Sequence, residues 1–190
     1  ESLGNMIVDL GGGNTEAAVV ALGGIVTHNS GKVGGIKIDR AIVDHFRKVY
    51  GIIIGEQTAE MVKIKLGSAV KLKRVETTEV TGRDFLSGLP KSIQVDSEAV
   101  YEVLKPILGM ILEVIQGALA ITPPELLSDI IDRGIVLAGG SSQIRNLNVL
   151  LTREIGVSVH VALEPQLCVI KGIGLALENL DTYKKALCQQ

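Results

Sequence analysis

The sequence predicts an α/β fold, a sheet layer of ribonuclease-H-like order interrupted by a small inserted α/β subdomain. Three observations lead there: three β-rich runs joined by glycine turns, a change to helical spacing after Gly34-Gly35, and a closing alternation of helices with short apolar strands. Residues 6–10, 15–22 and 24–33 make the opening meander. Ile38, Ala41, Ile42, His45, Phe46 and Val49 then recur at helical spacing until Gly51, and a second helix spans residues 56–66. Residues 75–81 and 92–95 read as strands, with Gly82-Arg83-Asp84 and Gly88-Leu89-Pro90 as interruptions between them. Asp96 before Ser97 is an N-cap for a long helix reaching about residue 121, and Pro106 is positioned to kink it. Thr122-Pro123-Pro124-Glu125 has the form of a capping box with proline at the first helical position, so another helix starts there. Residues 135–138 are a wholly apolar strand. Gly139-Gly140-Ser141-Ser142 leads into a helix over about 144–154, and a strand at 158–161 and a last helix over about 166–180 follow.

Composition narrows the function classes. With 190 residues, 46% of them apolar but only 3% aromatic, the chain suffices for an aliphatic core of one domain or two small lobes. Nineteen basic and 21 acidic side chains give a net charge of −2 without any cluster of cations among aromatics, so no nucleic-acid partner is expected. Cys168 and Cys188 lack metal-ligand spacing and read as ordinary thiols of a reducing compartment; His28, His45 and His160 are dispersed and carry no assigned chemistry. No uninterrupted apolar stretch approaches about 18 residues and no basic leader precedes a hydrophobic one, so neither a membrane span nor an export signal is expected. Glu1 in place of an initiator Met is what a processed or excised chain shows.

Two glycine turns carry the chemistry. Asp9-Leu10-Gly11-Gly12-Gly13-Asn14-Thr15-Glu16 joins two apolar runs, and three consecutive residues without Cβ atoms let backbone N–H groups close around an oxyanion at conformations other residues avoid. Asp9, at the strand end, suits a phosphate-bound Mg²⁺ held through water. A glycine hairpin with no ligand is the competing reading of the same residues. Gly139-Gly140-Ser141-Ser142 is either a plain strand-to-helix turn or a place where a ligand meets backbone. Glu60 and Lys63, one helical turn apart, are on their own an ordinary i,i+3 pair, which contributes about 0.2–0.5 kcal/mol.

The order of elements and seven segments together resemble the bacterial actins of the MreB family, within the actin/Hsp70 ATPase superfamily. The segments are Ile7-Val8-Asp9-Leu10-Gly11-Gly12-Gly13-Asn14-Thr15-Glu16, Val33-Gly34-Gly35-Ile36-Lys37-Ile38-Asp39, Ile54-Gly55-Glu56-Gln57-Thr58-Ala59-Glu60, Gly82-Arg83-Asp84, Gly88-Leu89-Pro90-Lys91, Thr122-Pro123-Pro124-Glu125-Leu126 and Asp132-Arg133-Gly134-Ile135-Val136-Leu137-Ala138-Gly139-Gly140. The resemblance covers essentially the whole chain and matches the second half of such a protein. It implies a discontinuous subdomain IIA at residues 1–35 and 97–170, an inserted subdomain IIB at 36–96, and a C-terminal helix and tail at 171–190 that return to a first lobe.

The resemblance further implies an ATP and Mg²⁺ site. In it the backbone of Gly11, Gly12, Gly13, Asn14 and Thr15 meets the β- and γ-phosphates, and Asp9 is the catalytic carboxylate orienting a Mg²⁺-bound water. Each N–H to a charged oxygen contributes roughly 1.5–3 kcal/mol. Glu60 and Lys63 hydrogen-bond the ribose, and Gly139, Gly140 and Ser141 form the adenosine motif. Asp39 corresponds to an acid that caps or braces its helix. Three departures stand out: Asn14 replaces a threonine but tolerates positive φ, Ser141 replaces a third glycine and narrows the slot or adds a hydroxyl, and Ile36-Lys37 replace acids.

Full-length members use ATP to polymerise into cytoplasmic filaments at the inner face of the cell membrane. Those filaments act with membrane-bound morphogenesis and cell-wall synthesis proteins to set rod shape. The first phosphate loop and the water-positioning residue belong to the preceding half. This chain alone is therefore expected to bind nucleotide weakly, turn over negligibly, stay monomeric and make no direct membrane contact. Competing readings are a nucleotide-binding lobe of an Hsp70-like chaperone or sugar kinase, a non-enzymatic partner-docking module, and a ribonuclease-H-like nuclease. The nuclease needs acids converging on two metals, and residues 135–138 supply none.

Overall fold

The computed structural model describes residues 3–180 and Tyr183; Glu1, Cys188 and the rest of the tail from residue 181 lie outside the described residues. In chain order the strands are β1 (Asn5–Leu10), β2 (Thr15–Ala21), β3 (Gly24–Gly31), β4 (Ile52–Ile53), β5 (Thr77–Asp84), β6 (Pro90–Asp96), β7 (Ile135–Ala138) and β8 (Val159–Val161). The helices are α1 (Gly35–His45), α2 (Glu56–Leu66), α3 (Ser97–Ala120), α4 (Pro124–Arg133), α5 (Leu147–Ile155) and α6 (Cys168–Glu178).

Two sheets result. The larger has the order β3-β2-β1-β7-β8, an antiparallel meander extended by two parallel strands; the smaller is β4-β5-β6. Alternation in β1 sends Met6, Val8 and Leu10 into the core and leaves Ile7 exposed, as a half-buried strand requires. Against the same face lies α3, whose Leu104, Ile107, Ile111 and Ile115 fall at helical spacing and are buried beside β2 and β3. Asp96 caps α3, accepting from the Ala99 amide at 2.8 Å; replacing such a cap costs about 1 kcal/mol.

Several expectations are corrected, but the long helix α3 is not among them: it runs from Ser97 to Ala120 with Pro106 inside it. It also contains an 18-residue window of mean hydropathy 1.6, long and apolar enough by length and composition to cross a membrane; its inward face is the core of this fold. Gly82-Arg83-Asp84 and Pro90 do not interrupt strands but pair with each other, Gly82 with Lys91 and Arg83 with Pro90. Pro90 is tolerated because it opens an edge strand. No capping box forms at Thr122, since its buried hydroxyl donates to the Ala118 carbonyl at 2.7 Å and pairs with Thr27 at 3.1 Å, and Pro123 takes the cap position. Strand β7 is covered on one face only, with Val136 exposed opposite Ile7. Helix α6 likewise presents Val169, Ile170, Ile173, Leu175 and Leu177 to solvent.

Candidate functional site

Four chain segments meet at one cleft: the β1–β2 turn, the start of α1, the inner face of α2 and the turn after β7. The cleft encloses about 440 Å³, and Gly12, Gly35, Asp39, Glu60, Lys63, Gly140 and Ser141 line it. The β1–β2 turn is held from behind. Gly11 N–H donates to the Asn14 carbonyl at 3.0 Å, while the Gly11 and Gly12 carbonyls accept from Gly35 and Ile36 amides at 3.1 and 2.9 Å. A Cβ on Gly34 would stand 2.6 Å from both of those carbonyl oxygens, so this crossing admits glycine alone. Among the described residues the amides of Gly12, Gly13 and Asn14 have no intramolecular acceptor, and all three residues are exposed.

The turn works differently from the expectation. None of Gly11, Gly12, Gly13 or Asn14 adopts positive φ. Their value is the absence of side chains around free amides rather than left-handed backbone. Thr15 is fully buried and its hydroxyl donates to the Val33 carbonyl at 2.7 Å, which removes that side chain from the cleft. Gly11, Gly13, Asn14, Thr15, Asp9 and Gly139 are not on the cleft wall itself, whereas Gly12, Glu60, Lys63, Gly140 and Ser141 are.

Asp9 sits between the two glycine turns, opposite Glu16 in β2 and Ala138 in β7. Partial burial, and then the Glu16 charge, hold its carboxyl above the usual carboxylate range. No ion pair or hydrogen bond to its side chain occurs among the described residues, and no group of three or more metal-ligating side chains surrounds it. A lone half-buried carboxylate beside a second acid fits a hydrated divalent cation whose other ligands are phosphate oxygens, and it does not fit an all-protein metal cage. Gly139, at φ +82°, passes so close that a Cβ there would meet the Leu10 carbonyl oxygen at 2.4 Å and Asp9 Oδ1 at 2.5 Å. Glycine is obligatory at that contact.

On the opposite wall Lys63 Nζ lies 2.9 Å from Asp39 Oδ1 and 3.0 Å from Oδ2, with both side chains almost buried. Only the Oδ2 contact has hydrogen-bond geometry, so Oδ1 keeps an unused acceptor position. Desolvation raises the Asp39 carboxyl against the lowering effect of Lys63. Asp39 therefore braces Lys63 rather than its own helix terminus: α1 is capped by Gly34 with no side-chain bond. Glu60 is exposed, its carboxylate 3.9 Å from Lys63 Nζ, and it lines the cleft. Ser141 joins the turns, its hydroxyl donating to the Gly11 carbonyl at 2.9 Å. The helix expected after Gly140 is delayed; a 3-10 turn over Gly140–Gln143 comes first, and α5 starts at Leu147. Sequence reasoning missed the wall residues Gly67, Ile144, Arg145 and Gln166, which belong to no phosphate or nucleoside motif.

Comparison with known proteins gives a consistent result. The family described as MreB/Mbl protein matches residues 1–185. The cell shape-determining protein Mbl of Bacillus cereus is 44% identical over 182 residues, covering 96% of this chain and 55% of that protein. The cell shape-determining protein MreB of Escherichia coli is 44% identical over 183 residues, covering 96% and 53%. The chain thus spans about half the length of the curated relatives it matches. Among solved structures, MreB5 of Spiroplasma citri bound to ADP superposes with a TM-score of 0.90 at 35% identity, covering 96% of this chain and 56% of that one; the same protein has also been solved with AMPPNP.

Proposed function

The chain belongs to the MreB/Mbl family and has an actin-like ATPase fold, and from that premise we propose that its cleft binds Mg-ATP as one half of a two-sided clamp. The observation that carries the reading is the convergence of Gly12, Glu60, Lys63, Gly140 and Ser141 on one cavity, with free amides at its phosphate end. The nucleotides held by MreB5 are of the class this cleft would take.

In this reading the Gly12, Gly13 and Asn14 amides bind phosphate oxygens, each contact contributing roughly 1.5–3 kcal/mol. Lys63 and Glu60 hold the ribose hydroxyls, and the turn at Gly139, Gly140 and Ser141 lies along the nucleoside. Asp9 orients a water on Mg²⁺; the ion, when bound, neutralises charge on the phosphates. Phosphoryl transfer is mostly positioning and charge stabilisation, so the open side of the phosphates needs a second lobe before turnover begins.

The exposed row Ile7 and Val136 and the apolar side of α6 support packing against further protein. We take residues 1–35 and 97–170 as subdomain IIA, 36–96 as IIB, and 171–190 as the connection to that lobe. The whole protein then assembles into ATP-dependent filaments at the cytoplasmic face of the membrane and guides cell-wall synthesis through membrane-bound partners, consistent with the cell-shape role in its relatives' names. The same apolar surface favours a second reading, a module that only docks a partner.

Calorimetric titration with Mg-ATP alongside a phosphate-release assay separates the readings. Weak saturable binding with negligible turnover is expected. Robust turnover by this chain alone contradicts the half-clamp, and no binding at millimolar ATP leaves the docking module.

A further inference from the structure

Arg145 lines the cleft, and its guanidinium joins the end of α2 to the segment that follows it. Its Nε donates to the Gly67 carbonyl at 3.3 Å, Nη2 donates to the Lys65 carbonyl, and Nη1 donates to both Glu76 carboxylate oxygens at 3.0 and 2.9 Å. The Lys65 and Gly67 carbonyls belong to the C-terminal end of α2, where backbone acceptors have no helical partner and a cation is favoured. The backbone beside the side chain makes the same connection: the Arg145 carbonyl accepts from the Ala69 amide at 2.8 Å, and Asn146 Nδ2 donates to Ser68 Oγ at 3.1 Å. Asn146 adopts φ +60° in doing so. Two segments about 78 residues apart in sequence are thereby joined at one point.

We propose that Arg145 is a positioning residue that holds the α2 wall of the cleft, with Glu60 and Lys63, at a fixed spacing from the Gly140 turn, so that nucleoside affinity depends on this joint and phosphate affinity does not. The inference rests on the reading of the cleft as an ATP site. The geometry is directional. Gly67 N–H donates to the Lys63 carbonyl at 2.8 Å, so anchoring Gly67 fixes the helical turn that carries Lys63. Ile64, Gly67, Ile144 and Arg145 all line the cleft, so this joint lies in the wall of the proposed nucleoside slot. The β1–β2 turn is tied instead to Gly35, Ile36 and Ser141, and among the described residues no hydrogen bond runs from it to Arg145, Asn146 or residues 65–69. The ion pair with Glu76 is about half exposed and by itself stabilises little. The forked geometry of the guanidinium, spanning two carbonyls and a carboxylate, does the holding, and lysine has no equivalent fork.

The test compares ATP with inorganic tripolyphosphate on the wild-type chain, Arg145→Ala, Arg145→Lys and Glu76→Gln, with amide hydrogen exchange over residues 63–69 measured without ligand. Arg145→Ala is expected to weaken ATP about tenfold, to leave tripolyphosphate unchanged and to speed exchange in that segment. Arg145→Lys should follow it, and Glu76→Gln should retain most of the wild-type affinity. Wild-type ATP affinity in Arg145→Ala, or parallel losses of ATP and tripolyphosphate, overturns the coupling while leaving the ATP cleft standing. Failure of the wild-type chain to bind ATP overturns both.

Discussion

The two walls of the cleft are built on opposite plans. On the α2 side Lys63 is paired with Asp39 and Arg145 with three acceptor groups, and Ser141 is bonded to Gly11. At the β1–β2 turn, among the described residues, the Gly12, Gly13 and Asn14 amides have no intramolecular acceptor, and Asp9 beside the turn is a carboxylate with no cation partner. The difference separates shape from charge. A wall whose bonds are made before the ligand arrives discriminates by fit, because little ordering remains to oppose binding. In the proposed reading, a turn with free donors beside an uncompensated acid takes its stability from the ligand's phosphates and their cation.

That contrast breaks most severely at the buried pair. Lys63→Ala leaves Asp39 buried without its cation, and we expect a stability loss of about 3–5 kcal/mol by chemical denaturation, with ATP binding gone. Replacing both partners, as Asp39→Leu with Lys63→Met, should restore most of the stability and none of the nucleotide affinity. Restored affinity in the double variant would show that the wall acts by packing alone. Next in size is Gly139→Ala, which adds a Cβ at positive φ against Leu10 and Asp9. Such backbone strain costs about 1–3 kcal/mol and should be read as a lowered melting temperature.

Asp9→Asn should act in opposite senses on stability and on function. Because the native carboxyl is raised, the folded protein holds its proton more tightly than the unfolded chain does. Its contribution to stability is therefore present at acid pH and declines as pH rises through the folded pKa, above the usual carboxylate range. The asparagine variant should accordingly gain on wild type at neutral pH, match it in acid, and lose the Mg²⁺ dependence of ATP binding. The smallest effect is expected from Ser141→Ala, which deletes one hydrogen bond between the walls. A loss of about 1 kcal/mol in ATP binding is expected, and an unchanged affinity would mean that the two walls need no direct link.

Much of this was legible in the sequence where the signal is local. The β1 strand, the bounds of α2 and the Asp96 cap need only neighbouring residues to be read, and the structure has all three. The unread parts depend on distant partners. Gly82 to Asp84 carry turn-forming residues yet become strand because Pro90 and Lys91 pair with Arg83 and Gly82, and Ile52 pairs with Asp84. Thr122 looks like a cap but is drawn to Thr27 across the core. The late start of α5 follows from Arg145 and Asn146 being committed to residues 65–76. Asp39 and Lys63 were each visible as charges, but their contact across 24 positions was not.

Hydrogen exchange with and without Mg-ATP reads both sides of the cleft at once. If the cleft holds ATP, exchange slows together in three segments, residues 11–15, 60–67 and 139–145, with the amides of Gly12 and Gly13 most affected. Exchange unchanged in all three, or protection confined to a surface away from the cleft, would contradict it.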